Sequence, residues 1–365
     1  MSAGHGKGQN PPGVKVNAAR GAGFNPKNRF EALEYLPEPD DYWHDEDEME
    51  PPLRTQFFRD ASQSIITTNS SPDIPFNASL NPYRGCEHGC AYCYARPTHE
   101  YLGFSAGLDF ESRIMVKMDA PELLRRELSA KKWQPQVLAM SGVTDCYQPV
   151  ERRLQITRSC LAVLAEFRNP VGIVTKNHLV TRDLDHLREL AAHQAVAVAI
   201  SITTLDGELA KKLEPRASSP PRRLAAIAEL AQAGIPVRVM FAPCIPGLND
   251  HEAVHVLRAA AEAGACGAGT VALRLPHAVA PLFEQWVMTH FPDRHEKIIG
   301  RVRSMRGGKM NDSRFGSRMQ GEGFFAEQMA AMFEVAKRKA KFREPPYAQL
   351  STASFKVPRD QMELF

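Results

Sequence analysis

The stretch N-P-Y-R-G-C-E-H-G-C-A-Y-C-Y-A-R, residues Asn81–Arg96, decides the fold of this chain. It holds three of the seven cysteines in the spacing C-x3-C-x2-C, namely Cys86, Cys90 and Cys93. Gly85 and Gly89 let the main chain turn back on itself, because glycine tolerates positive φ. Such a loop presents three thiolates to one inorganic group, and thiolates suit zinc or iron–sulfur clusters.

The number of ligands separates two kinds of metal site. A closed structural zinc site takes four protein ligands. His88 supplies a fourth only by composition, since it lies inside the tight x3 spacer, and no second Cys/His pair at finger-like spacing follows downstream. Three ligands without a fourth indicate a site with one open coordination position, with structural zinc or inert thiols as the alternatives.

The composition is that of an ordinary globular protein. The chain has 365 residues, 43% hydrophobic and 24% charged, which suffices for one large domain with appendages or for two domains. The net charge of +3 implies no partner. We find no apolar run of about 18 residues, so no membrane span is expected, and the amino terminus lacks an apolar signal region. The odd number of cysteines favours a reducing cytoplasm over a disulfide framework.

Composition shifts predict three regions. Residues 1 to about 28 are rich in Gly, Asn, Pro and basic residues and are expected to be disordered or ordered by a partner. Residues 38–50 form an acidic run, which is usually a solvated tail but can also cover a basic surface. We expect a largely irregular N-terminal extension at residues 1–70, a core at 71–290 and a basic C-terminal loop and helix at 291–365.

From about residue 76, strand-like apolar runs alternate with helix-like segments. The predicted strands are Val137–Met140, Val171–Thr175, Ala195–Thr203, Val237–Ala242 and Thr270–Leu275. The predicted helices are Pro121–Lys131, Leu154–Phe167, Arg182–His193, Pro221–Ala233 and His251–Ala263, with Asp119 and Gly234 as candidate caps. With the segment before Cys86, these make about six units of parallel strand and covering helix. The fold class is therefore α/β, a partial (β/α)6 TIM-like barrel with a disordered N-terminal leader and a C-terminal helical extension.

Chemistry in such folds lies at the carboxyl ends of the strands. The informative residues of this chain follow predicted strands: the cysteine loop, Ser141–Asp145, Lys176-Asn177, Ser201 with Thr203, and Pro243–Gly247.

The motif C-x3-C-x-Y-C after the first strand of a partial barrel resembles the signature of the radical S-adenosylmethionine (radical SAM) enzymes. The resemblance implies that Cys86, Cys90 and Cys93 bind three irons of a [4Fe–4S] cluster, and that S-adenosylmethionine chelates the fourth. It also implies a one-electron donor of the flavodoxin or ferredoxin type. Cleavage of S-adenosylmethionine would then yield a 5′-deoxyadenosyl radical that abstracts hydrogen from a substrate.

Further segments resemble one branch of that family, which is related to spore photoproduct lyase and called DNA repair photolyase-like. They are S-G-V-T-D-C-Y-Q-P-V-E (Ser141–Glu151), V-T-K-N (Val174–Asn177), I-S-I-T-T-L-D (Ile200–Asp206) and P-C-I-P-G-L-N-D (Pro243–Asp250). The leader R-G-A-G-F-N-P-K-N-R-F-E (Arg20–Glu31) resembles that of a bacterial subgroup within the branch.

The resemblance implies roles for single side chains toward S-adenosylmethionine. Tyr94 would line the adenine side, and Thr144 would contact the amino group or the ribose. Lys176 would meet the carboxylate, and Ser201 would reach the ribose or the carboxylate. The alternatives are a solvated lysine, a core serine and a turn threonine. Tyr92 is expected to pack against the cysteine loop. Arg216 and Arg223 are either clamps for an anionic group or surface charges.

The segment after the second predicted strand departs from the lyase pattern. The lyase keeps a hydrogen-donor cysteine directly before its hydroxyl residue, and Val143 occupies that position here. Cys146 can replace it only if the loop turns the thiol inward; otherwise it is a buried inert thiol. Asp145 is either an acid facing the substrate or a helix cap.

The C-terminal segment 301–343 contains eleven Lys or Arg residues and four acidic ones. Phe324–Lys341 is predicted to be an amphipathic helix with a basic end, preceded by a glycine-rich loop over the barrel mouth. A basic patch with scattered Phe suits a nucleic acid backbone, or it complements the helix dipole. We expect an enzyme acting on a nucleic acid base or nucleotide; the alternatives are radical modification of a peptide side chain and a non-catalytic iron–sulfur protein that binds or senses redox state.

Overall fold

The computed structural model describes residues 20–31, 53–342 and 349–358. Residues 1–19 and the acidic run at 38–50 lie outside the described residues. The strands are β1 Gln56–Arg59, β2 Ile66–Thr68, β3 Ala78–Leu80, β4 Tyr83–Arg84, β5 Arg113–Val116, β6 Leu138–Met140, β7 Val171–Thr175, β8 Val196–Ser201, β9 Val237–Cys244 and β10 Ala268–Ala272. The α-helices are α1 Leu108–Ser112, α2 Ala120–Leu128, α3 Glu151–Leu154, α4 Ile156–Phe167, α5 Leu184–Ala192, α6 Gly207–Leu213, α7 Pro220–Gln232, α8 Ala253–Glu262, α9 Val279–His290, α10 His295–Ser304, α11 Ser317–Gln320 and α12 Phe324–Ala340.

Seven strands form one open sheet in the order β10-β9-β8-β7-β6-β3-β2. The six strands from β3 to β10 in this sheet pair in parallel, and β2 adds an antiparallel edge. The predicted partial barrel with six parallel strands is confirmed. The central strand β8, V-A-V-A-I-S, is buried along its whole length, as expected for a parallel strand covered on both faces.

The helices that cover this sheet lie where the periodicity predicts them. For example, α4 turns a continuous apolar face inward, including Cys160, Leu161 and Leu164. Gly234 directly follows the C-cap of α7 with φ +78°, the left-handed conformation that commonly ends a helix. Asp119 occupies the N-cap of α2, but its side chain caps no backbone N–H and instead accepts from Arg59.

A second, three-stranded sheet, β1-β5-β4, lies beside the first. In it β1 pairs in parallel with β5, and β4 pairs antiparallel with β5. The short strand β4 ends at Arg84, immediately before Gly85, so this small sheet fixes the entry to the cysteine loop.

The described part of the leader, residues 20–31, is irregular, as predicted, but it is packed rather than disordered. Gly21 and Ala22 are buried. The Asn28 side chain donates to the carbonyls of Glu100 and Phe104, and Arg29 pairs with the buried carboxylate of Glu100. The sequence did not predict this packing, because a segment without a periodic apolar pattern gives no signal of its contacts.

The segment after α10 joins the two edges of the open sheet. Arg306 donates to the carbonyls of Leu273, just beyond β10, and Ser317. Arg318 in turn pairs with Asp73, which lies between β2 and β3 at the opposite edge. The helix α12 then packs on α8 through buried side chains such as Phe333 and Ala336. The predicted amphipathic helix is confirmed, ending at Ala340. No helix among the described residues is long and apolar enough to cross a membrane.

Candidate active site

The three clustered cysteines lie on the loop that follows β4, shortly after β3, which is the first parallel strand of the seven-stranded sheet. All three are free thiols; Cys86 and Cys90 are buried and Cys93 is half-buried. Burial raises the pKa of Cys90 well above its usual value, and the neighbouring sulfurs of Cys93 and Cys86 raise it further, while Lys176 opposes them. The loop therefore gathers three soft donors close enough to influence one another.

Two glycines give this loop its shape. Gly85 and Gly89 adopt φ of +78° and +65°, the left-handed region that favours glycine. A Cβ at Gly85 would lie 2.9 Å from the carbonyl oxygen of Phe110, and the next N–H, that of Cys86, donates to that same oxygen. The glycines expected to turn the loop do so.

Buried charges outside the loop hold its main chain. The guanidinium of Arg96 is fully buried and donates to the carbonyl of Cys90 from Nε at 3.1 Å and from Nη2 at 2.8 Å. It also pairs with Glu111, whose side chain is fully buried too. Glu87 accepts from the Val150 N–H and from Arg216, which explains why Arg216 is neither a free surface charge nor an open clamp.

His88 lies between the Cys86 thiol and the next strand ends. Its Nδ1 lies 3.3 Å from Asp145 Oδ2, and its Nε2 lies 3.3 Å from the Asn177 amide. Burial would raise the pKa of Asp145, but His88 and hydrogen bonds to the carboxylate hold it at about 2. His88 thus links the loop to the ends of β6 and β7.

Both carboxylate oxygens of Asp145 accept hydrogen bonds from within the protein. Its Oδ1 accepts from the Tyr147 N–H and the Thr175 hydroxyl, and its Oδ2 accepts from the Lys176 N–H. This carboxylate therefore connects the segment after β6 to the end of β7, beside His88.

The thiol of Cys146 lies in the main hydrophobic core and has no exposed surface. Its burial raises its pKa well above the usual value. Val143, in contrast, is 37% exposed. The position that carries a hydrogen-donor cysteine in the lyase pattern is thus an exposed valine, while the nearby cysteine faces the core.

Thr144 touches the cysteine loop directly. Its hydroxyl donates to the carbonyl of Gly85 at 2.7 Å and receives the Gln148 amide at 3.3 Å. Since a hydroxyl has one proton and two lone pairs, one acceptor position remains.

Lys176 and Tyr92 face each other beside Cys90. The Lys176 ammonium lies 5.9 Å from the centroid of the Tyr92 ring. The Tyr92 hydroxyl donates a hydrogen bond to the Glu214 carboxylate and lies 3.2 Å from the Thr203 hydroxyl. Although burial lowers the pKa of Lys176, Cys90 and Glu214 raise it to a net increase, so the ammonium is charged. Tyr92 packs against the loop, as expected.

Glu214 and Arg223 form a buried ion pair that the sequence did not predict. Arg223 donates to Glu214, to the carbonyl of Ser218 and to the carbonyl of Ser201. Burial alone would raise the pKa of Glu214, but Arg223 and Lys176 lower it to about 2. Arg223 is 1% exposed, so it is neither a surface charge nor an open clamp. Nothing in the sequence signals this burial, because a charged residue in a helical segment is usually exposed.

Ser201 and Tyr94 complete the predicted set on two sides of the loop. Ser201 is the buried last residue of β8. Tyr94 is 48% exposed, donates to the carbonyl of Gly142, and lies under Arg274 with a distance of 5.3 Å from guanidinium to ring centroid. The structure therefore brings Tyr94, Thr144, Lys176 and Ser201 to the strand ends that surround the cysteine loop.

The donor set of three cysteine thiols suits an iron–sulfur cluster. Among the described residues, no group of three or more His, Cys, Asp or Glu side chains is arranged to hold one metal ion. Three thiolates on one zinc would each lie about 2.3 Å from it. In a four-iron cluster each cysteine bonds a different iron, so the thiols need not converge on one point.

The chain is similar to a known protein family and to proteins of other organisms. Residues 80–260 match the model of the radical SAM superfamily. A protein of Mycobacterium tuberculosis, described only as uncharacterised, is 36% identical over 234 residues, which are 64% of this chain and 68% of that protein. A second such protein, from Methanocaldococcus jannaschii, is 31% identical over 173 residues, 47% of this chain and 62% of that protein.

Among solved structures, spore photoproduct lyase complexed with dinucleoside spore photoproduct has a similar fold. Its TM-score is 0.56 at 15% identity, covering 78% of this chain and 79% of that one. At this identity, the likeness shows the shared partial-barrel fold.

Proposed function

This chain belongs to the radical SAM superfamily, and from that premise we propose that Cys86, Cys90 and Cys93 hold the [4Fe–4S] cluster which the family uses together with S-adenosylmethionine. The observation that carries the proposal is the position of three free thiols on one buried loop after the first parallel strand. When bound, the two cofactors supply a 5′-deoxyadenosyl radical that abstracts a hydrogen atom from the substrate.

The protein's own part is to hold the cofactors and exclude water. Cys86, Cys90 and the intervening residues are all buried, and the carbonyls of the loop are bound by Arg96 and Thr144. A rigid, dry loop protects a reactive species from side reactions.

Four side chains are proposed to bind S-adenosylmethionine. The charged ammonium of Lys176 suits its carboxylate. Thr144 already donates its proton to Gly85, so its remaining lone pair would accept a hydrogen bond from the amino group or from a ribose hydroxyl. Ser201, at the end of β8, would reach the ribose or the carboxylate. The exposed ring of Tyr94 offers a face to the adenine.

We propose a nucleic acid base or nucleotide as the substrate class. The similar fold of spore photoproduct lyase, solved with a dinucleoside photoproduct, supports this class. The exposed basic end of α12, Lys337, Arg338 and Lys339, supports contact with phosphates. Because Val143 stands where the lyase keeps its hydrogen-donor cysteine and the Cys146 thiol faces the core, we propose that hydrogen does not return to the product through a cysteine at this position.

Radical SAM enzymes generally need a one-electron donor, and we propose a flavodoxin- or ferredoxin-like protein for this chain.

Cluster binding by the three cysteines is tested by single substitutions. Cys86→Ala, Cys90→Ala and Cys93→Ala should each abolish the visible absorbance and iron content that the wild type gains on anaerobic reconstitution, because each removes an iron ligand. Cys266→Ala is the control, since this half-buried thiol lies outside the cysteine loop and donates to the Val237 carbonyl. Full iron content in any of the three variants, or its loss in the control, would contradict the assignment.

A further inference from the structure

The leader touches the cysteine loop at a point where no side chain fits. A Cβ at Gly21 would lie 1.6 Å from the carbonyl oxygen of Gly89 and 3.0 Å from the nitrogen of Ala91. Gly89 stands between Cys86 and Cys90. The φ of Gly21 is not in the left-handed region, so space alone, and not backbone conformation, requires glycine here.

A buried carboxylate joins the leader to the same loop. Glu111 Oε2 accepts from the Gly21 N–H at 3.1 Å, and Glu111 Oε1 accepts from the Ala22 N–H at 2.8 Å. Oε1 also receives Arg96 Nη2 at 2.5 Å, and that same nitrogen donates to the Cys90 carbonyl. A chain of hydrogen bonds through Glu111 and Arg96 therefore connects the leader to the carbonyl of Cys90.

The N-terminal end of the leader, at Arg20, is also held by hydrogen bonds. Arg20 donates to the carbonyls of Glu111 and Leu53 and to the Thr55 hydroxyl. A Cβ at Gly107 would lie 2.0 Å from the Phe24 carbonyl oxygen, which is a second contact that excludes a side chain. The leader is thus held over several residues.

We propose that residues 20–22 form the outer wall of the cysteine loop and that Glu111 is the positioning residue that holds this wall in place. The wall covers the main chain of Gly89 and Ala91, and so limits access of water and oxygen to the cluster. Glu111 sets the position of Cys90 through Arg96. This inference rests on the proposed function, because it assumes that the loop holds the cluster.

A purely structural role makes a different prediction. Breaking the hydrogen bonds of the leader would then lower stability and leave the bound cluster unchanged. A wall of the cluster site predicts a change in the cluster itself, namely in its rate of oxidation by air and in the EPR signal of its reduced form.

Gly21→Ala in the full-length chain tests the inference in two measurements. In the metal-free protein, trypsin should cleave after Lys27 and Arg29 about tenfold faster, the factor expected when one hydrogen bond to a charged group is broken. In the reconstituted protein, the visible absorbance of the cluster should bleach in air about tenfold faster, with a shifted EPR signal. Gly300→Ala is the matched control, because a Cβ there meets nothing within 4 Å.

Every result of these two measurements either supports or contradicts the inference. Wild-type rates of cleavage and bleaching in Gly21→Ala would overturn the inference, as would faster cleavage with unchanged bleaching. If Gly21→Ala does not fold, Glu111→Gln, which keeps the side-chain volume, takes its place. Both rates should then rise by about tenfold or more, because this substitution also leaves the buried Arg96 without its counter-charge. A wild-type protein that takes up no cluster would overturn the proposed function and the leader's role in it, while the trypsin experiment still reports the docking itself.

Discussion

Single residues around the cysteine loop carry charge in buried pairs. Arg96 pairs with Glu111, and Arg223 pairs with Glu214, with side chains at most 2% exposed. In each pair the arginine also binds a backbone carbonyl, of Cys90 and of Ser201 respectively. Removing one partner of a buried pair costs far more than the pair itself contributes, because an uncompensated charge remains.

Glu214→Gln should therefore lower the free energy of unfolding of the metal-free protein by about 3–5 kcal/mol. The substitution keeps the volume but leaves Arg223 without its counter-charge. Urea unfolding measures the difference. Glu166→Gln is the control, because its pair with Arg125 is exposed and should contribute at most about 1 kcal/mol. Equal losses in the two variants would show that burial of the Glu214 pair is not what matters.

For single residues, the sequence predicted the position in the fold better than the hydrogen-bond and ion-pair partners. The cysteine loop, Thr144, Lys176 and Ser201 lie at or near the ends of strands, as predicted, because each follows or ends an apolar run. The roles of Glu111, Glu214 and Arg223 were missed, because a charged residue in a helical or loop segment is usually exposed. Only the tertiary structure brings each beside its counter-charge.

Secondary-structure elements followed from hydrophobic periodicity. The predicted Val171–Thr175 has the bounds of β7, and the predicted Pro221–Ala233 differs from α7 by one residue at each end. The small sheet β1-β5-β4 was not predicted, because its strands are two to four residues long and β1 is exposed. Short exposed strands lack the alternating apolar pattern by which strands are recognised.

The basic end of α12 is the element on which nucleic acid binding is tested. Replacing Lys337, Arg338 and Lys339 by Gln should weaken binding to single-stranded DNA. The slope of log K against log salt concentration should become shallower by about 0.7 for each phosphate that the variant no longer neutralises. These three side chains are exposed while Phe333 and Ala336 face α8, so the fold should be unaffected.

The matched control for this prediction replaces Lys131 and Lys132, which are also exposed, by Gln. Fluorescence anisotropy at several salt concentrations gives the slope. The same slope in wild type and triple variant would exclude this end of α12 from the binding surface.

In the whole molecule, the open barrel is completed by segments from both ends of the chain. The leader lies against the cysteine loop, and residues 306–318 join the edge at β10 to the segment between β2 and β3. The sequence predicted a glycine-rich loop over the barrel mouth before α12, but not the contacts of this loop, and it did not predict the docking of the leader. Glycine-rich and irregular segments carry no periodic pattern, and their contacts are with residues distant in sequence.

The central claim is that this chain binds a cluster through three cysteines and uses it to cleave S-adenosylmethionine. The most direct test measures 5′-deoxyadenosine after the wild-type protein, purified and reconstituted without oxygen, is supplied with dithionite and S-adenosylmethionine. We predict a protein with visible cluster absorbance that releases 5′-deoxyadenosine, while Cys90→Ala releases none. A colourless wild type containing zinc, or a cluster-loaded one that leaves S-adenosylmethionine intact, would contradict the claim.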